Sequence, residues 1–131
     1  MPDVRRDGWG VLGVEVLRTA DFDGTRLRRD GTYAVCFGAT WCPPTRRFVP
    51  TFVALAGSLP ARIAIADITS LQDPLWDTFQ IKITPTMVVF REGAVVQRFD
   101  GKRLWGLREA DLERLRAFLS RGPPDRAARV P

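Results

Sequence analysis

The feature that most constrains this fold is the junction that begins at Tyr33. The run Tyr33-Ala34-Val35-Cys36-Phe37 is apolar at nearly every position over one strand length, which reads as a central strand covered on both faces. Gly38-Ala39-Thr40-Trp41 carries the chain out of it. Beyond Cys42, Pro43 and Pro44 suit the first turn of a helix, where N–H groups lack partners anyway. Phe48, Val49, Phe52, Val53, Leu55 and Ala56 then fall at helical spacing as far as Gly57. Pro50 is expected to kink this helix, because it removes one hydrogen bond and crowds the preceding turn. This buried strand feeding a helix is the first unit of the α/β sandwich that the order of all the elements implies.

The remaining elements follow from the same periodicities. Val14 to Leu17 is predicted as a short strand, and Thr19 to Gly31, with Phe22 and Leu27 as its apolar points, as a poorly formed helix. Arg62 to Ile68 reads as a second buried strand and Pro74 to Phe79 as a short helix. Met87 to Arg91 and Ala94 to Phe99 form a hairpin around Glu92-Gly93, and Leu112, Leu115, Phe118 and Leu119 mark a closing helix. The expected division is an N-terminal extension over 1–13, one α/β domain over 14–120, and a mobile tail over 121–131, where Gly122-Pro123-Pro124 interrupts a stretch poor in apolar residues.

Composition narrows the chemistry more than the fold. The 131 residues contain no histidine, which removes Ser-His and Cys-His catalysis and every histidine-containing metal site. Two cysteines, Cys36 and Cys42, are too few for a disulfide scaffold or a cysteine-only zinc site, so no metal or other cofactor is expected. The net charge of +5 comes from arginines scattered among acidic residues, without a basic and aromatic stripe, so no nucleic-acid partner is expected. No apolar run is long enough for a signal peptide or a membrane span, and the expected location is cytoplasmic, with no membrane partner.

The stretch Phe37-Gly38-Ala39-Thr40-Trp41-Cys42-Pro43-Pro44-Thr45 resembles the thioredoxin signature F-x-A-x-W-C-G-P-C, at the expected strand-to-helix junction. Pro50 lies where thioredoxins carry their kinking proline. Phe79 to Thr86 resembles the segment that leads to the family's cis-proline, here Pro85, and Phe90-Arg91-Glu92-Gly93 resembles its hairpin turn. Gly101 matches the glycine after the last strand, so the resemblance runs from about Val14 to Leu119. It implies the thioredoxin fold, a mixed central β-sheet sandwiched by helices. Three positions depart from the pattern: Thr45 stands where a resolving cysteine is usual, Cys36 replaces the buried aspartate, and Ile65 replaces the lysine that accompanies it. These losses agree with one another, since an acid that deprotonates a resolving thiol has no task without that thiol.

Cys42 is the expected nucleophile. A thiolate rather than a thiol attacks disulfides, and a helix N-terminus stabilises the anion. With Pro43 and Pro44 lacking N–H groups, Thr45 supplies the first backbone donor, and its hydroxyl is expected to add a second hydrogen bond to the sulfur. Trp41, Pro43, Pro44, Thr84 and Pro85 are the expected substrate-binding residues, and the resemblance implies that the Thr84 backbone pairs with an extended substrate. Cys36, in a central apolar strand, reads as inert packing, and Trp9, Trp76 and Trp105 as packing or surface aromatics.

The expected activity is monothiol thiol–disulfide exchange on disulfide- or thiol-bearing proteins, with release by an external low-molecular-weight or protein thiol. The alternative is a non-catalytic binding module that keeps the groove. Peroxiredoxins share the outline of Cys42-Pro43-Pro44-Thr45, but Thr40 lies two rather than three residues before the cysteine and the chain lacks their extra length.

Overall fold

The computed structural model describes residues 3–121. The predicted central strand is β4 (Thr32–Gly38). It runs parallel to β5 (Arg62–Asp67) on one side and antiparallel to β6 (Thr86–Arg91) on the other. Short β1 (Glu15–Leu17) extends the sheet beyond β5, and β7 (Ala94–Phe99) forms the opposite edge, giving the order β1-β5-β4-β6-β7. Because side chains alternate across a strand, the apolar run of β4 divides between two cores. Ala34 and Cys36 face one side with Ile63, Ile65, Met87 and Val89, while Tyr33, Val35 and Phe37 face the other with Ala64, Ala66, Val88 and Phe90.

Two helices cover the first face. They are α2 (Pro43–Ala54), through Phe48, Val49 and Phe52, and α4 (Glu109–Ser120), through Leu112, Leu115 and Leu119. Pro50 lies inside α2, which continues through it, and Asp111 caps the start of α4 by accepting the Arg108 N–H at 2.8 Å. Trp9 is buried in the same core at 1% exposure, carried there by a single 3₁₀ turn (Trp9–Leu12) that follows α1 (Val4–Asp7). The segment before β1 therefore supplies one of the largest core side chains. Of the tail expected over 121–131, everything past Arg121 lies outside the described residues.

The second face corrects one expectation. Thr19 to Gly31 is not a helix but a 3₁₀ turn (Thr19–Asp21) followed by a two-stranded ribbon, β2 (Phe22–Asp23) and β3 (Arg26–Leu27), turning through Gly24 at φ 58°. In a helix, residues five apart are separated by roughly 140° around the axis, so Phe22 and Leu27 could not both face the sheet. Paired across the ribbon, both are buried beside Phe37, Phe79 and Phe90, with α3 (Leu75–Thr78) alongside. Packing overrode a weak local pattern.

Candidate functional site

The site forms where β4 ends and α2 begins. Cys42 is the N-cap of α2 with extended backbone, its N–H bonded to the Ala39 carbonyl at 3.1 Å, and its own carbonyl accepts the first helical bond from Arg46 at 3.0 Å. Pro43 and Pro44 occupy the first turn as predicted. The Thr84–Pro85 peptide bond is cis, and the Thr84 carbonyl lies 3.5 Å from Cys42 Sγ and accepts from its thiol. Two glycines allow that approach. A Cβ on Gly101 would lie 2.3 Å from the Pro85 carbonyl oxygen, and one on Gly106 would lie 2.7 Å from Pro85 Cδ and 3.0 Å from Pro44 Cβ. Any side chain at either position would push the loop off the sulfur.

Thr45 is turned into the helix–sheet interface. It is fully buried, and its methyl group packs so closely over Gly38 that a Cβ there would fall 2.5 Å away. Its hydroxyl makes no hydrogen bond with any described residue, so the expected bond to the Cys42 sulfur is not formed. The helix sits on the sheet with its third residue turned inward, which leaves only the Thr45 backbone N–H at the helix start. Cys36 is also buried, one strand layer beneath α2 and paired across the sheet with Ile65. Burial pushes its thiol far above the ordinary cysteine range. Both cysteines are free thiols.

The loop that presents Cys42 is held by residues that sequence reasoning missed. Thr69 accepts the Thr40 N–H at 3.0 Å through its hydroxyl and the Trp41 indole N–H at 2.9 Å through its carbonyl, while Asp67 accepts from the Thr69 N–H at 3.0 Å. Arg46 reaches back from α2 to the Thr40 carbonyl at 2.9 Å. No local signal marks Thr69, because its partners Thr40 and Trp41 lie a helix and a strand away. Trp41 is thereby held with nearly half its surface exposed, at the edge of a groove of about 450 Å³.

Of the predicted residues, Trp41, Cys42, Pro44 and Thr84 line this groove. Pro43 is exposed at the helix start, and Pro85 and Thr45 are buried supports behind the lining. Lys82, Lys102, Leu71 and Leu104 also line it and were not singled out from the sequence. Cys42 itself is only 8% exposed, so a reacting group must reach it through the groove. Among the described residues no cluster of three His, Cys, Asp or Glu side chains is placed to hold a metal, and no helix is long and apolar enough to cross a membrane.

Comparison with known proteins agrees with this geometry. The thioredoxin family model matches residues 13–112. A chloroplastic thioredoxin Y2 from Arabidopsis thaliana is 33% identical over 81 residues, 61% of this chain and 48% of the relative. A Staphylococcus epidermidis thioredoxin is 26% identical over 87 residues, 66% of this chain and 84% of the relative. The chain thus spans about half the length of the Arabidopsis protein. Among solved structures, Chlamydomonas reinhardtii thioredoxin f2 superimposes with a TM-score of 0.67 at 22% identity, covering 86% of this chain and all of that one. Fasciola hepatica thioredoxin does so at 0.57 and 27% identity, over 70% of this chain and 83% of that one. Given a family model matched across the whole sheet, and a cysteine and cis-proline meeting where that fold brings them together, the chain belongs to the thioredoxin family.

Proposed function

We propose that this protein is a monothiol thiol–disulfide exchange protein acting through Cys42. One observation carries the reading: the only cysteine at the groove stands at a helix N-terminus, 3.5 Å from the Thr84 carbonyl, with a threonine three residues on and the other thiol buried in β4.

The chemistry balances with one thiol. Cys42 Sγ attacks one sulfur of a substrate disulfide, forming a new S–S bond as the old one breaks, and the other sulfur leaves as a thiolate that takes a proton from water. An external thiolate then attacks the mixed disulfide and frees Cys42. The sum is exchange of a thiol for a disulfide partner with no net redox change. Disulfide-bearing polypeptides are the proposed substrates and a small or protein thiol the resolver, in a cytoplasmic setting. Trp41 and the Thr84 backbone are the proposed contacts for substrate.

Steady turnover of a peptide disulfide in excess small thiol tests the reading, with Cys42→Ser as the blank. Turnover equal to the blank refutes it. The exposed apolar rim around Cys42 favours a second reading, a binding module with Cys42 used to clamp a partner. That reading expects partner binding to survive Cys42→Ser with no turnover in the parent protein.

A further inference from the structure

We infer that the Cys42 groove selects polypeptide segments in which acidic residues flank the reacting half-cystine. The inference rests on the exchange reading above and names its substrate class. Lysine is scarce in this chain, with Lys82 and Lys102 the only two among 20 basic residues, and both line the groove. Both are exposed, and among the described residues neither forms an ion pair. Several arginines elsewhere are tied to carboxylates, as Arg18 is to Asp67 and Arg29 to Glu15 and Asp21. Among the described residues no acidic side chain lines the groove. Two unneutralised ammonium groups beside one reactive sulfur therefore favour an anionic approach.

The apolar rim decides between a small anionic thiol and a polypeptide. Leu104 at 89%, Leu71 at 69% and Trp41 at 47% are the three most exposed large apolar side chains among the described residues, and all three line this groove. A small dicarboxylate would leave that rim in water, whereas a polypeptide segment covers it. Leu104 is also displayed at a cost. It sits at φ 82° on a turn closed by reciprocal Lys102 and Gly106 backbone hydrogen bonds of 2.8 Å, a conformation that leucine rarely adopts. The same turn carries Lys102, so charge and apolar contact are presented together.

The test uses three peptides of one sequence around a single cysteine, each carried as its mixed disulfide with 2-mercaptoethanol and flanked by acidic, neutral or basic residues. The rate of disulfide transfer to Cys42 is followed by mass spectrometry. Two exposed charge pairs predict that the acidic peptide reacts roughly tenfold faster than the neutral one at low salt. That preference falls toward unity at 1 M salt, where the screening length is about 3 Å, and in the Lys82→Gln/Lys102→Gln variant. Equal rates for the three peptides overturn the inference and leave the exchange reading standing. Glutathione disulfide outpacing the acidic peptide overturns it in favour of a small anionic thiol. If no disulfide reacts, the exchange reading fails, and binding of the same peptides with serine for cysteine, read by tryptophan fluorescence, decides the inference. Tighter binding of the acidic peptide supports it and equal binding overturns it.

Discussion

Gly38→Ala is the sharpest probe of how the site is built. The backbone of Gly38 lies outside the left-handed region, so alanine is acceptable to the strand, and it gains about 0.4–1 kcal/mol by restricting the unfolded chain. Against this, the new Cβ would stand 2.5 Å from the Thr45 methyl carbon, where overpacking costs about 1–3 kcal/mol. The net expectation is a loss of roughly 1–2 kcal/mol. Thr45→Ser removes only that methyl carbon, and by itself costs about 1 kcal/mol for a buried methyl group. In the double variant the clash is gone, because the next nearest Thr45 atoms, Cβ and the hydroxyl oxygen, lie 3.7 Å from the new Cβ. Alanine then fills the space that the methyl leaves. Urea unfolding of all four proteins should give a coupling of about 1–2 kcal/mol, with the double variant more stable than Gly38→Ala alone. Strict additivity would show that the first turn of α2 does not press on Gly38.

Three further outcomes are expected. Trp9→Ala should lose about 3–5 kcal/mol in urea unfolding, because a side chain 1% exposed leaves the core, and a loss under about 1 kcal/mol would show that the segment before β1 is dispensable. Folded Cys36 holds its proton well above the pH at which the unfolded thiol, with a pKa near 8.5, gives its proton up. Its contribution to stability is therefore full below about pH 8.5 and declines above it by at most about 1.4 kcal/mol per pH unit. Urea titrations from pH 7 to 10 should show this decline and its absence in Cys36→Ala, and equal slopes would dismiss it. Thr45→Cys should form a disulfide between Cys42 and the new thiol and acquire dithiol reductase activity toward insulin. If the variant oxidises but reduces nothing, the binding-module reading gains over exchange.

The parts of the site legible in the sequence are those carried by contiguous residues. The uninterrupted apolar run of β4, the two prolines after Cys42, and the segment ending in Thr84-Pro85 each signal their local structure through neighbours in the chain, and together they resemble one family. The Thr19 to Gly31 stretch was not legible this way. Its two apolar points carry no period, and only the phenylalanine cluster beneath them determines that a ribbon buries both. Trp9 carries a related lesson, because nothing local shows that a tryptophan ahead of the first strand enters the core.

By itself the sequence determined the layered α/β class, the cysteine at a helix start, and the threonine where a second cysteine would stand, because composition and short-range periodicity express these directly. Where side chains point across elements was decided only by tertiary structure. The packing of α2 on β4 buried the Thr45 hydroxyl without a hydrogen-bond partner among the described residues. The close approach allowed by Gly101 and Gly106 brought Thr84 to Cys42, and chain reversal placed Lys82 and Lys102 on one groove with Leu71 and Leu104. Such convergence joins residues tens of positions apart through sheet order and helix packing, and no period along the chain encodes it.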